Sequence, residues 1–186
     1  YGFKNKISKE EFKKAIEENT LLDVLNTVKV KKGDLFFIEA GTVHAIGKGV
    51  LIAEIQQNSN STYRVYDYGR IGKDGKPREL HIKKAVDVSV TEPPKYDIKP
   101  MGETVKADGY DSTLLTKCDL FTVNHYDVNK KLTLETDEKS FNHILVINGK
   151  GNINEKELNK GDSFFVPAGY GKYEIAGNCE IIVTNI

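Results

Sequence analysis

The stretch Lys32-Gly33-Asp34-Leu35-Phe36-Phe37-Ile38-Glu39-Ala40-Gly41 returns later in the chain as Lys160-Gly161-Asp162-Ser163-Phe164-Phe165-Val166-Pro167-Ala168-Gly169. Each copy reads as a Gly-Asp turn, a short apolar strand buried on both faces, and an Ala-Gly turn that reverses the chain. One such unit is weak evidence of anything. Two copies far apart in sequence argue for two related β units. After the second turn the copies part. The first continues Thr42-Val43-His44 and the second Tyr170-Gly171-Lys172, so His44 aligns with Lys172. The first unit carries a potential metal ligand where the second carries a lysine.

Around these two copies, the chain alternates β-branched and aromatic runs with Gly, Asn and Asp. Strands are predicted over residues 28–30, 35–38, 50–55 and 62–66, then 120–126, 132–136, 142–147, 163–166 and 180–184. Many short strands at close spacing predict a mainly β fold of sandwich or barrel type. Helices are predicted in two places, about residues 8–26 and 79–89. Ser8-Lys9-Glu10-Glu11 has the form of a capping box, and Phe12, Ala15 and Ile16 follow at helical spacing. Thr91-Glu92-Pro93-Pro94 breaks regular structure and suits a linker, which divides the chain into units 1–92 and 93–186.

Composition excludes several classes. Lys plus Arg number 27 and Asp plus Glu number 27, giving zero net charge over 186 residues. Charges this balanced and interspersed make no broad field for nucleic acid or an anionic membrane, so an anionic ligand must be held by a local cluster. No apolar run reaches the length of a membrane span. Cys118 and Cys179 match no metal or disulfide spacing and read as reduced thiols of a cytoplasmic protein. The start at Tyr1-Gly2-Phe3, without Met, reads as the beginning of a fragment.

Four residues are candidates for chemistry. His44 follows a tight turn, where a rigid scaffold can present an imidazole to zinc. The same His can equally be hydrogen-bonded within its turn. Glu54 lies among apolar neighbours in Val50-Leu51-Ile52-Ala53-Glu54-Ile55, where burial would demand a partner. Strand alternation can also turn it outward. Arg64, in Thr62-Tyr63-Arg64-Val65-Tyr66-Asp67, offers a planar fork for a phosphate or an enediolate oxygen, or an ion pair with Asp67 or Glu54. Arg70 could supply a second cation for phosphate. His81 is expected to cap its helix, and His125 and His143 are read as structural. Gly47-Lys48-Gly49 reads as a hairpin turn, because no helix follows it to bind phosphate.

The series Ala40-Gly41-Thr42-Val43-His44-Ala45-Ile46-Gly47, Glu54-Ile55-Gln56-Gln57, Thr62-Tyr63-Arg64-Val65-Tyr66-Asp67-Tyr68 and Pro77-Arg78-Glu79-Leu80-His81 resembles type I mannose-6-phosphate isomerase in its short bacterial form, a member of the cupin superfamily. The resemblance is dense up to about Val88 and thinner beyond. It implies two cupin-like jelly-roll units, the first incomplete and bearing a small helical insertion, the second without the metal-turn His. It further implies zinc-dependent interconversion of mannose 6-phosphate and fructose 6-phosphate, with a small sugar phosphate as partner and neither nucleic acid nor membrane. On that resemblance His44 is a zinc ligand, Arg64 the active-site arginine and Glu54 a carboxylate of the site. The family's other ligands, a Gln-x-His pair and a Glu, are expected upstream of Tyr1. A fragment of this kind is expected to be inactive alone. The competing expectation is a non-catalytic cupin module that binds or senses small sugars. Oligomeric state is not legible in the sequence.

Overall fold

The computed structural model describes residues 1–186, which form two compact units, Tyr1–Ile98 and Lys99–Ile186. The boundary comes after residues 93–98 rather than before them. The Leu35 amide donates to the Ile98 carbonyl (3.3 Å), which ties the segment after the Pro-Pro pair to the first unit.

The first unit contains three helices: α1 (Lys9–Glu17), α2 (Leu21–Val24) and α3 (Ile82–Val88). The capping box at Ser8 forms as its sequence predicts. The Glu11 amide donates to Ser8 Oγ (3.1 Å) and the Ser8 amide to Glu11 Oε2 (2.7 Å), so two amides that the helix cannot satisfy find partners. Phe12, Ala15 and Ile16 form the buried face of α1, and Phe12 and Ile16 pack with Phe3 and Leu21. Fully burying a side chain of this size stabilises by about 1.5–3 kcal/mol.

The strands expected at 28–30, 35–38, 50–55 and 62–66 do not form ladders. The first unit has only isolated bridges, Phe3 with Leu25, Thr42 with Val90 and Ile71 with Pro77. A strand exists only through a partner that accepts and donates along its edge, and residues 1–98 bring no two of these segments together in register. The apolar side chains stay correspondingly open, with Leu51 91% and Ile52 46% exposed.

The second unit is wholly antiparallel β. It comprises β1 (Val105–Ala107), β2 (Tyr110–Lys117), β3 (Thr122–Val128), β4 (Lys131–Thr136), β5 (Asn142–Ile153), β6 (Lys156–Asn159), β7 (Ser163–Val166) and β8 (Gly171–Asn185). The two long strands, β5 and β8, pair with each other from His143 opposite Thr184 to Ile153 opposite Ile175. Each changes its outer neighbour midway. Along β8, β4 gives way to β3, and along β5, β7 gives way to β6. The switch requires the two backbones to approach closely. Gly177 (φ +132°) sits where a Cβ would lie 2.6 Å from Gly151 Cα, and Gly149 (φ +76°) where one would lie 2.2 Å from the Asn178 carbonyl oxygen. Only glycine fits such contacts, and the bend lets the sheet roll around one core. That core takes Val128, Leu132, Ile144, Leu158, Ile175 and Ile181 from five different strands.

The two repeat copies share their turns, but the segments after those turns differ. Gly33 and Gly161 adopt φ of +92° and +94°. The Asp34 carboxylate accepts the Lys31 amide (2.9 Å), and the Asp162 carboxylate accepts the Asn159 amide (2.7 Å). Residues 163–166 then pair with β5, whereas residues 35–38 join no ladder. The paired copy is not buried on both faces. Phe165 is 63% exposed while Val166 is buried, as expected of a strand at a sheet margin with one face covered. Lys172, the counterpart of His44, lies on β8 opposite Glu135.

Candidate active site

Arg64, Arg70, Asp67, Arg78 and His81 form one cluster of functional groups in the first unit. Asp67 is its centre. Arg78 grips Asp67 with a fork, Nε donating to Oδ2 (2.7 Å) and Nη2 to Oδ1. Arg64 Nε approaches Asp67 Oδ1 at 3.7 Å, and Arg64 Nη1 donates to the Glu79 carbonyl (3.2 Å). Arg70 stacks its guanidinium over the Tyr68 ring at 5.5 Å. The Arg78 hydrogen bonds hold the Asp67 carboxyl below the usual carboxylate range. Burial opposes this, and the charges of Arg78, Arg64 and Arg70 reinforce it. Three guanidinium groups around one carboxylate leave an excess of positive charge, and Arg64 Nη2 makes no hydrogen bond within the chain. Such a cluster can hold a phosphate or stabilise an oxyanion.

The main chain at Arg64 is held from the same side. The Arg64 amide donates to His81 Nδ1 (3.0 Å) and the His81 amide donates to the Arg64 carbonyl (2.8 Å). His81 occupies the N-cap position of α3 but its side chain makes no capping hydrogen bond. The expected cap is thus replaced by a tie across the chain.

His44 and Glu54 stand apart from this cluster. His44 is exposed, and its Nδ1 lies 2.9 Å from the Thr42 carbonyl oxygen. A carbonyl oxygen can only accept, so Nδ1 carries a hydrogen, and in the neutral ring Nε2 keeps a free lone pair. That is the orientation a metal-binding His uses, with one nitrogen anchored to the protein and the other offered to the metal. Glu54 is exposed, and no ion pair or hydrogen bond of its side chain joins it to His44 or Arg64. No three His, Cys, Asp or Glu side chains converge closely enough to hold a metal ion. Within this chain a zinc site would rest on His44 alone, and stable zinc sites use at least three protein ligands.

The sequence marks Arg64 and Arg70 as candidates but not the roles of Arg78 and His81. The Pro77-Arg78-Glu79-Leu80-His81 run is visible in it, but its contacts to Arg64 and Asp67 cross 11 to 17 residues. A shallow cleft lined by Tyr1, Phe37, Glu39, Pro94, Lys95 and Tyr96 opens elsewhere on the first unit. At about 20 Å³ it has room for little more than one water and none for a sugar phosphate. In the second unit His125 Nε2 lies 3.7 Å from Glu180, and His143 Nε2 lies 2.8 Å from Ser163 Oγ. No helix in either unit is long and apolar enough to cross a membrane.

Rolled antiparallel sheet and motif cluster together define a cupin-domain protein. The sequence profile of the mannose-6-phosphate isomerase cupin domain matches residues 111–186. Mannose-6-phosphate isomerase ManA of Bacillus subtilis is 38% identical over 190 residues, and the alignment takes in the whole of this chain. Mannose-6-phosphate isomerase of Streptococcus mutans is 33% identical, again across the whole chain. The crystal structure of the mannose 6-phosphate isomerase from Bacillus subtilis superposes with a TM-score of 0.88 at 36% identity and covers the entire chain. The chain belongs to the mannose-6-phosphate isomerase family. It spans 59% of the length of the Bacillus relative and 58% of the Streptococcus one.

Proposed function

We propose that the protein carrying this chain is a zinc-dependent isomerase that interconverts mannose 6-phosphate and fructose 6-phosphate, and that it works in the cytoplasm. Aldose–ketose exchange moves a proton between C1 and C2 through an enediol, which needs a base, a stabiliser for the oxyanion and a grip on the phosphate. The observation that carries the reading is the Arg64 guanidinium. It is anchored at Nη1 by the Glu79 carbonyl and stands beside an Asp67 already gripped by Arg78. A donor fixed in advance stabilises developing charge without reorganising. Arg70 adds a cation suited to the phosphate. Glu54 serves proton transfer between the two carbons. His44 offers Nε2 as one ligand of the zinc, the remaining ligands coming from outside this chain. When bound, zinc supplies Lewis acidity to the substrate oxygens. Cys118 and Cys179 are both free thiols, which suits a reducing compartment.

The test is conversion of mannose 6-phosphate to fructose 6-phosphate by the full-length protein, with Arg64→Ala alongside. Loss of one such donor is expected to lower kcat by about 100- to 1000-fold with the melting temperature nearly unchanged. Arg64→Lys is expected to recover only part, because it keeps the charge and loses the fork. A loss confined to KM would reassign Arg64 to uniform substrate binding. Unchanged kinetics would end its catalytic role.

A further inference from the structure

We propose that His81 is a positioning residue for Arg64, its imidazole accepting the Arg64 amide while its own carbonyl serves the following helix; the proposal rests on the isomerase reading above. Residues 62–66 form no ladder, and within them only Arg64 has a main-chain hydrogen bond to backbone elsewhere, the one from the His81 amide to its carbonyl (2.8 Å). In an antiparallel pair the second bond would return from the Arg64 amide to the His81 carbonyl. That carbonyl serves the helix instead. His81 opens α3, and its oxygen accepts the Ala85 amide (2.9 Å). The imidazole takes the vacant role, accepting the Arg64 amide at Nδ1 (3.0 Å). An amide can only donate, so Nδ1 is unprotonated and Nε2 carries the hydrogen, the opposite tautomer to that at His44. The ring also lies 6.2 Å from the Tyr63 ring, next in sequence to Arg64. Glu79, two residues before His81, holds the Arg64 guanidinium through its carbonyl. One short segment thus fixes both the main chain and the side chain of Arg64.

Only a residue with an acceptor two bonds from Cβ can replace this contact. Asn places Oδ1 there, and Ala offers nothing. In the full-length protein His81→Ala is expected to lower kcat by roughly 10- to 100-fold, as small misplacements of a catalytic group do. KM for mannose 6-phosphate and metal content should hold. His81→Asn should recover most of the rate. On an Arg64→Ala background, His81→Ala should cost nothing further, because the group it positions is gone. Wild-type kcat in folded His81→Ala, an Asn variant no better than Ala, or a loss that multiplies with that of Arg64→Ala would each overturn the proposal. If His81→Ala does not fold, nitrogen NMR of the wild-type imidazole decides. An unprotonated Nδ1 together with activity in the Asn variant supports the proposal, and a protonated Nδ1 overturns it. A wild-type protein without isomerase activity would sink the isomerase reading and this role with it. An active wild type with indifferent His81 variants would sink this inference alone.

Discussion

Replacing Tyr173 by Phe should make the second unit less stable at neutral pH and more stable in strong alkali. Tyr173 is 3% exposed, and its hydroxyl oxygen accepts from Asn142 Nδ2 at 2.8 Å. Asn142 is itself buried. It also donates to the Glu135 carbonyl (3.3 Å) and accepts from Asn185 (3.1 Å). Removing the hydroxyl leaves Asn142 one partner short, which costs about 1–2 kcal/mol. Burial pushes the Tyr173 phenol up from 10.0 to about 12, the Asn142 hydrogen bond pulling slightly the other way. Between those values the unfolded chain gives up a proton that the folded one keeps, so stability falls as pH rises. The contribution is complete below pH 10 and is lost on the way to pH 12. At about 1.4 kcal/mol per unit, the loss is about 1.4 kcal/mol at pH 11 and about 2.3 kcal/mol at pH 12. The Phe variant lacks this loss. Wild type should therefore lead at pH 7 and fall behind somewhere near pH 11 to 12. Urea denaturation of both proteins between pH 7 and 12 measures the difference directly. A stability difference that stays constant across this range would refute the reasoning.

Two further outcomes concern the candidate site. This chain alone should bind zinc weakly, since His44 is the one ligand it offers, and in the full-length protein His44→Ala should release the metal; metal analysis after dialysis checks both, and retained zinc would make His44 a turn residue only. Arg78→Ala should raise the titration midpoint of Asp67 toward the ordinary 3.8, followed by carboxyl-carbon NMR. The sign comes from the depressed folded value. The Asp67–Arg78 pair contributes stability above the ordinary carboxylate range and loses it as pH falls through the lowered value, so the variant should lose less stability in acid. A midpoint that does not move would mean that Arg78 is not what holds it down.

What residues close in sequence could settle was legible without a structure. The capping box at Ser8 and Glu11 is complete within one helical turn, and α1 forms where it predicts. The Gly-Asp turns at 33–34 and 161–162 close through an Asp side chain reaching three residues back, so both copies adopt the same geometry. The resemblance of the motif series to one family was likewise local, because it depends on residue types in order. What the tertiary structure decided lies beyond those ranges. Residues 35–38 and 163–166 read alike, yet only the second copy is a strand here, because β5 lies beside it and residues 1–98 supply no ladder partner for the first. Arg64 could be read as a catalytic arginine or as a surface ion pair. Its setting depends on Glu79 and His81, which the chain brings back from 15 and 17 residues away. Turns and caps are satisfied by near neighbours, whereas ladders and clamps need partners that only folding brings within reach.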